Sequence, residues 1–292
     1  MGVKRFNIFI KKRVKQVFED FVFKYFVNDF KNILINQNVN HIAIQTTYDT
    51  LNEIETCIKL NRRGAYLRFG DGDVYLLNKK KDSFQTPNDS LSKEMLESFQ
   101  INEANVFKSL AIHSEKFGYE KGMFVGNHKN SNSLSINLLE STFLFFIGQK
   151  IYSPVALHFI ATQEPIRANL FLKLLKLKTK LFIGSINLSS KNIKKLFGNS
   201  VHIKTPSENA YNEIDRIYLE SKIEIAKFDD FAVVVVAMGC SGRPLMKRLL
   251  NDSFNVFLFD FGSLIDGLDG VNNRTWLKVN NIDYVALTKG LD

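Results

Sequence analysis

A regular alternation of apolar strand patterns and helical patterns from residue 151 onward is the feature that most limits the fold. The run Phe231–Met238 is almost continuously apolar, which is typical of a strand buried on both faces of a sheet. Other strands are predicted at Lys180–Ile183, Val201–Lys204 and Phe254–Phe259, with a helical pattern before each next strand. Strands that alternate with helices form parallel sheets through right-handed crossovers. We therefore predict an α/β fold, a Rossmann-like, mainly parallel sheet with flanking helices.

Local signals place the remaining elements. A helix is predicted over 48–63, capped by Asp49 and ended by Gly64, followed by a strand at Ala65–Phe69 and a tight loop at Gly70–Asp73. Ser207 is expected to cap a long helix that ends near Phe228. Further elements are predicted at Leu110–His113 (strand), Met123–Val125 (strand) and Ser133–Phe146 (helix).

Composition excludes several classes of protein. The chain has 292 residues, of which 45% are hydrophobic and 24% are charged, so it is globular and long enough for one or two domains. Two cysteines exclude a disulfide scaffold and a cysteine-rich zinc site. The sequence has neither the apolar core of a signal peptide nor a stretch of about 20 apolar residues that could span a membrane. We predict a cytoplasmic protein.

The first 45 residues differ from the rest and are predicted to form a basic amphipathic helical segment, with 46–292 as the main domain. Six basic residues precede the first acidic one, Glu19: Lys4, Arg5, Lys11, Lys12, Arg13 and Lys15. Phenylalanines lie among these basic residues and after them. Such a helix either lies on the inner face of a membrane or packs on its own domain or on a second subunit in a homo-oligomer.

A second basic zone lies later in the chain. Between Glu164 and Glu208 there is no acidic residue, whereas nine lysines and arginines occur there. This zone is either a solvated face or a contact with an anionic partner such as a pyrophosphate or a lipid surface. Because the sequence contains no recognisable nucleic-acid-binding module, we do not expect a nucleic acid as partner.

Two carboxylates one residue apart form the first candidate site. Asp71 and Asp73 lie in the segment Arg68-Phe69-Gly70-Asp71-Gly72-Asp73, directly after a predicted strand. Carboxylate oxygens suit Mg²⁺ or Mn²⁺, and glycine lets a ligand approach the backbone. A metal ion there would stabilise a diphosphate leaving group. An ordinary Asp-Gly turn is the alternative.

Three later turns follow predicted strands and should lie at the same edge of the sheet. The amides of the turn Met238–Gly242 could bind phosphate or a ribose, and Asn209, after Ser207, could bind a base or a sugar. Asp260 and Asp266 are candidate general bases for an acceptor hydroxyl. Close packing and helix capping are the alternative roles of these turns.

In this order the four segments resemble the GT-D type of bacterial glycosyltransferases. RFGDGD at 68–73 is similar to the family's R-F-G-D-G-E, and TPSENAYNEID at 205–215 is similar to its P-S-K-N-A-F segment. VVVVAMGCSGRPLMKRLL at 233–250 resembles its strand, L-G-P-T-like turn and helix, and VFLFDFGS at 256–263 resembles the strand that ends in D-I-G-H. The similarity covers about residues 50–266.

The resemblance implies a Rossmann-like nucleotide-sugar transferase with a divalent metal. It assigns Asp71 and Asp73 to the metal and the diphosphate, and Arg68 to the support of the motif or of a donor phosphate. The residues that would border the donor are Gly70, Ser207, Asn209, Gly239 and Ser241. This sequence departs from the family at Asp73, where the family has Glu, at Ser263, where it has His, and in the turn that ends at Arg243.

We therefore expect a glycosyltransferase that depends on Mn²⁺ or Mg²⁺. It would move a sugar from a nucleotide diphosphate donor, a UDP-sugar, to a hydroxyl of a bacterial surface glycan or a lipid-linked acceptor. Asp73 would act through the metal, and Asp266 would be the base. The alternatives are another Rossmann-like transferase, such as a methyltransferase that uses the Gly239 turn, and a non-catalytic partner of a membrane-surface assembly with the same fold.

Overall fold

The computed structural model describes residues 43–110, 147–270, 277, 280 and 282–291, and for 43, 44 and 71 it describes the backbone only. Nearly all of the predicted N-terminal segment 1–45 lies outside the described residues, as do the predicted strand Met123–Val125 and the predicted helix Ser133–Phe146. The division into 1–45 and 46–292 stays a prediction.

The described residues form eight strands and ten α-helices. The strands are β1 Ala43–Ile44, β2 Gly64–Phe69, β3 Val106–Leu110, β4 Lys150–Ile151, β5 Thr179–Ser185, β6 Val201–Thr205, β7 Ala232–Ala237 and β8 Val256–Asp260. The helices are α1 Thr47–Lys59, α2 Asp71–Leu77, α3 Asp89–Phe99, α4 Ala156–Gln163, α5 Pro165–Lys178, α6 Ser190–Phe197, α7 Ile214–Ile225, α8 Gly242–Asn251, α9 Leu264–Leu268 and α10 Tyr284–Thr288. Short 3₁₀ turns occupy Ala210–Glu213 and Gly239–Ser241. No helix among these residues has the length and apolar content needed to cross a bilayer.

Six of these strands form one sheet in the order β3-β2-β8-β7-β5-β6, and every pair in it is parallel. This arrangement confirms the predicted Rossmann-like parallel sheet. The register places Asp260, the last residue of β8, opposite Val236 near the end of β7, and Tyr66 of β2 opposite Phe259. The carboxyl ends of β2, β8 and β7 therefore lie side by side.

The central strands alternate their side chains between two apolar cores, one on each face of the sheet. In β7, Val234 and Val236 pack on the side of α2, α3, α7 and α8, whereas Val233 and Val235 pack on the side of α1, α4, α5 and α6. β8 follows the same pattern, with Leu258 on the first side and Phe259 on the second. Both faces are buried, which explains the nearly unbroken apolar run in the sequence.

Three predicted local features at the start of the main domain are wrong in detail. The cap of α1 is Thr46, whose Oγ1 accepts a hydrogen bond from the Asp49 N–H at 3.0 Å, so that Asp49 lies in the first turn. Gly64 begins β2 instead of ending α1. Gly70–Asp73 is not a free loop, because Asp71 already begins α2.

Two predictions in the second half also need correction. The long helix predicted from Ser207 is α7 alone, preceded by a 3₁₀ turn, because Asn209 adopts a left-handed backbone with φ of 50° that interrupts the chain before Ala210. Ser207 is exposed in a bend and does not cap a helix. Asp266, expected in the turn after the last predicted strand, lies within the short helix α9.

A buried lysine joins the edge strand β3 to its neighbours. The ammonium group of Lys108 donates hydrogen bonds to the backbone carbonyls of Phe99, at 3.1 Å, and of Ile147. Only 4% of the residue is exposed, and burial lowers the pKa of Lys108 from its usual 10.5 to about 8. The folded state therefore holds the proton of Lys108 less tightly than the unfolded chain does.

We predict a pH dependence of stability that comes from this lysine. Below about pH 8 both states bind the proton, so burial of the charge costs stability; between pH 8 and 10.5 the folded state releases the proton and regains up to about 3 kcal/mol. In urea unfolding, the free energy of unfolding of the natural protein should therefore rise relative to that of Lys108→Met between pH 8 and 10.5. Lys150→Met, a change at an exposed lysine of the adjacent strand β4, is the matched control; parallel curves for Lys108→Met would contradict the prediction.

Candidate active site

A buried arginine links two carboxylates at the carboxyl edge of the sheet. The Nε of Arg243, in the first turn of α8, lies 3.2 Å from Oδ1 of Asp73, and its Nη1 lies 3.2 Å from Oδ2 of Asp260. All three residues are less than 10% exposed. Burial works against the guanidinium charge, but the carboxylates of Asp73 and Asp260 outweigh it and raise the pKa of Arg243. Arg243 therefore stays charged inside the fold.

Asp73 has a structural role as well as this ion pair. The N–H of Gly70, the residue that caps α2, donates a hydrogen bond of 2.7 Å to Oδ2 of Asp73. A carboxylate at the third position of a helix is the reciprocal half of a capping box. One oxygen of Asp73 thus holds the start of α2, and the other faces Arg243.

A second arginine extends the cluster from β2. Nη1 of Arg68 lies 3.7 Å from Oδ1 of Asp260, and its Nε donates to the backbone carbonyl of Pro154. Gly262, with φ of +64°, passes so close that a Cβ on it would lie 1.5 Å from Nη1 of Arg68. The buried imidazole of His158 is beside this turn, and burial, together with the charge of Arg68, lowers its pKa well below the usual value. The cluster thus contains two arginines and two aspartates.

The predicted donor residues Ser241 and Asn209 both hold the segment between α2 and α3. Ser241 Oγ donates to Oε1 of Gln85 at 2.9 Å, and both side chains are buried. The N–H of Asn209 donates to the carbonyl of Phe84 at 2.8 Å, while its Oδ1 accepts from the N–H of Thr86 at 2.8 Å. The ends of β6 and β7 are therefore joined through residues 84–86.

The Gly239 turn lies against the start of α2. A Cβ on Gly72 would come within 2.9 Å of Cys240 Sγ and 2.8 Å of Oδ1 of Asp82, so only glycine fits between them. Gly239 itself is exposed, with φ of +58°, and no described atom lies within 4 Å of the place where its Cβ would be. The Cα of Gly239 is therefore accessible to a ligand, whereas its carbonyl accepts a hydrogen bond from Nη1 of Arg243 and its neighbours are packed.

Most of the predicted site residues converge. Five of them lie at the carboxyl ends of β2 and β7, which flank β8 in the sheet: Arg68, Gly70, Asp73, Gly239 and Ser241. Asn209 is connected to them through residues 84–86, Ser207 is exposed beyond it, and the half-buried Asp266 lies in α9 directly after β8. Asp71 is the first residue of α2, and only its backbone is described.

The described residues do not fit a metal ion held by Asp73. Its carboxylate already contacts a backbone N–H and a guanidinium, and a divalent cation bound to it would face the positive charge of Arg243. Among the described residues there is no group of three or more histidines, cysteines and carboxylates positioned to hold a metal. The prediction of Mn²⁺ or Mg²⁺ stays a prediction, and it now depends on Asp71.

Solved structures with the same architecture were found for most of the chain. One is a DUF1792 domain with selenomethionine, with a TM-score of 0.59 and 18% identity over 86% of this chain and 91% of that one. Another is described as a new DUF1792 glycosyltransferase from Streptococcus sanguinis, with a TM-score of 0.60 and 15% identity over 85% and 92% of the two chains. A third DUF1792 domain, described as a distinct glycosyltransferase fold, has a TM-score of 0.58 and 17% identity over 86% and 91%.

This chain has the DUF1792 glycosyltransferase fold. The resemblance to GT-D type glycosyltransferases that the four segments indicated is thereby confirmed for the architecture. No protein-family model and no curated protein matches the sequence.

Within the DUF1792 fold, two residues that organise the site are not assigned from the sequence: Arg243, which belongs to the cluster, and Gln85, which binds Ser241. Arg243 was noted only as a departure from the family's apolar turn, and Gln85 lies in a polar segment with no motif. One signal for Arg243 is present, since it directly follows a glycine turn next to a strand buried on both faces, and an arginine that is buried there needs carboxylate partners. No comparable sequence signal points to Gln85.

We predict that Gly262→Ala destabilises the protein more than Gly270→Ala. Both glycines have a positive φ, so both substitutions strain the backbone, but no described atom lies within 4 Å of a Cβ at Gly270. At Gly262 the new methyl group must displace Arg68 from Asp260, which should cost about 1–3 kcal/mol more in urea unfolding. The extra cost should disappear in the background of Arg68→Met; equal costs for the two glycines would contradict the displacement of Arg68.

Proposed function

We propose that this protein is a glycosyltransferase that uses a nucleotide diphosphate sugar as donor. The observation that carries the proposal is the cluster of Arg68, Arg243, Asp73 and Asp260 beside the open Gly239 turn, in a fold shared with a described glycosyltransferase. In sheets of this kind, ligands bind outside the carboxyl ends of the strands, which is where the cluster lies.

The diphosphate of the donor would bind at the Gly239 turn. The exposed backbone of this turn leads into α8, and amides at the start of a helix favour anionic groups. Arg243, one helical turn inside, supplies positive charge directly behind the turn. Arg68, which shares Asp260 with Arg243, adds a second charge.

In this proposal Asp73 and Asp260 are positioning residues. They neutralise and orient the guanidinium groups, and a charge fixed in advance stabilises a leaving group without reorganisation during the reaction. In transfer, the bond between the anomeric carbon of the sugar and the diphosphate oxygen breaks, and the acceptor hydroxyl oxygen forms the new bond to that carbon. The diphosphate carries away the electron pair of the broken bond, and the arginines stabilise its charge.

The acceptor side is proposed on sequence grounds. Asp266, in α9 directly after β8, is the candidate base that takes the proton of the acceptor hydroxyl. A UDP-sugar as donor, and a bacterial surface glycan or a lipid-linked glycan as acceptor, follow from the GT-D resemblance and belong to the proposal.

We predict that Arg243→Met abolishes the binding of the donor. Thermal unfolding with a panel of UDP-, GDP-, CDP- and dTDP-sugars should give a rise in Tm with one nucleotide family in the natural protein and none in Arg243→Met. Arg248→Met is the matched control, because Arg248 lies on the same helix and also pairs with two acidic residues, Glu94 and Asp215, but at the other end of α8.

Two results would contradict this assignment. One is a nucleotide-induced rise in Tm that survives in Arg243→Met, and the other is an equal loss in Arg248→Met. If S-adenosylmethionine raises Tm and no nucleotide sugar does, the protein is a methyltransferase of the alternative kind. Release of free nucleotide diphosphate with an acceptor glycan then tests turnover.

We further predict that donor binding does not require a divalent metal. With EDTA present, the nucleotide-induced rise in Tm should persist, because in this proposal the diphosphate is held by the amides of the Gly239 turn and by the guanidinium groups behind it. A rise in Tm that appears only with Mn²⁺ or Mg²⁺, and is lost in Asp71→Asn, would show instead that the acidic motif holds a metal and that the charge of the arginines is not sufficient.

A further inference from the structure

Helix α5 carries an apolar stripe on its outer side. Ile166, Leu170 and Leu177 are 71%, 55% and 79% exposed, and with Lys173 they follow the spacing that places residues on one side of a helix. The opposite side of α5 is fully packed, with Phe171, Leu172 and Leu175 in the core. The outer face of a helix at the surface is normally polar, so this stripe requires an explanation.

The element packed alongside α5 adds another exposed apolar residue. Asn169 of α5 donates hydrogen bonds to the carbonyls of Leu287 and Lys289, which fix α10 and the residues after it to the helix. Val285, in α10, is 82% exposed. Four large aliphatic side chains therefore face outward from α5 and α10.

The surroundings of the stripe are positively charged. Lys173 lies within it, Lys180 follows the end of α5, and Lys191 and Lys194 lie on α6, which packs against α5; all four are exposed. No acidic residue occurs in the chain between Glu164 and Glu208, so neither α5 nor α6 carries a carboxylate. None of these four lysines forms an ion pair with another described residue, so the face combines aliphatic side chains with lysines that an anionic partner could reach.

We propose that the α5–α6 face docks on an anionic membrane surface. Aliphatic side chains enter the boundary of the acyl chains, and lysines next to them reach the anionic head groups with their flexible stems. An anionic membrane surface therefore contacts both the aliphatic stripe and the lysines around it. The proposal does not depend on the proposed glycosyltransferase activity.

Other occupants match only one of the two features. In a symmetric dimer through this face, lysines would oppose lysines with no acidic residue from either helix to pair with them. Residues 1–42 carry six basic residues before their first acidic one, so their charge opposes docking on this face. A nucleic acid would match the lysines but has no use for a stripe of aliphatic side chains.

The orientation of α5 brings the docking face to the candidate active site. Because β5 begins directly after α5, the helix runs antiparallel to the strands, and its first residues lie at the carboxyl edge of the sheet. Helix α4, just before α5, carries His158 beside Gly262. Docking through α5 would therefore hold the edge with the charged cluster at the border of the membrane contact.

The test is co-sedimentation of the full chain with vesicles of phosphatidylcholine alone and of phosphatidylcholine mixed with phosphatidylglycerol. The paired change Leu170→Ser and Leu177→Ser, and separately Lys173→Glu and Lys180→Glu, should each weaken binding to the mixed vesicles by about tenfold or more, since one lysine near an anionic surface contributes about fivefold. In the variant with Lys173→Glu and Lys180→Glu, vesicle binding should also depend much less on the salt concentration than in the natural protein. Leu219→Ser with Ile223→Ser is the matched control, because these two residues are 56% and 51% exposed, four residues apart on α7, next to Glu220 and Glu224.

Each outcome decides the proposal. Loss of vesicle binding in both α5 variants, with the control unchanged and with thermal unfolding unchanged in all three, supports it. Binding that is equal in all variants would assign membrane attachment to another part of the chain, such as residues 1–42, and overturn it. A dimer in sedimentation equilibrium that dissociates in the Leu170→Ser, Leu177→Ser variant without any change in vesicle binding would also overturn it, in favour of a second copy of this chain.

Discussion

The guanidinium of Arg243, buried between Asp73 and Asp260, is the interaction on which the geometry of the charged edge depends. A charged group that leaves water costs several kcal/mol unless opposite charges replace the solvent around it. The two carboxylates come from different places, one from the helix after β2 and the other from the last residue of β8, while the arginine follows β7. The strand order β2-β8-β7 is therefore required to place all three together, and a shift of one residue in β8 would turn Asp260 to the other face of the sheet.

The sheet could be predicted from the sequence because burial on both faces leaves a strong local pattern, as in Phe231–Met238. The carboxyl-edge turns followed, since parallel strands bring their ends together. Local details failed where a distant contact or a single backbone angle decides them: the left-handed Asn209 shortened the helix predicted from Ser207, and Thr46 replaced Asp49 as cap. The partners of Arg243 and Gln85 lie far away in the chain, so no window of sequence contains them. The metal that the GT-D resemblance implies is not part of the proposed donor site, and the roles of Asp71 and Asp266 stay predictions.

The acidic motif illustrates why a short pattern does not determine its own role. A carboxylate two residues after Asp71 lies at the third position of α2, where it satisfies a free backbone N–H, and the same carboxylate could equally hold a cation. What separates these roles is the third group near the side chain. For Asp73 that group is the guanidinium of Arg243 in α8, a residue far from the segment RFGDGD in the sequence. The aspartate found where the GT-D family has glutamate reaches the N–H of Gly70 with its shorter side chain.

Basic residues are paired differently on α7 and α8 than on α5 and α6, which lie on opposite sides of the sheet, and this bears on how the protein meets its surroundings. On the side of α7 and α8, Arg216, Lys222 and Arg248 all pair with carboxylates of Glu213, Glu220, Asp252, Glu94 or Asp215. On the side of α5 and α6, neither helix carries a carboxylate, and the exposed lysines there lie next to exposed leucine and isoleucine side chains. A net charge of +9 spread evenly would mainly favour solubility. Lysines beside exposed apolar side chains, as on α5 and α6, would in addition favour one orientation of the molecule toward an anionic surface.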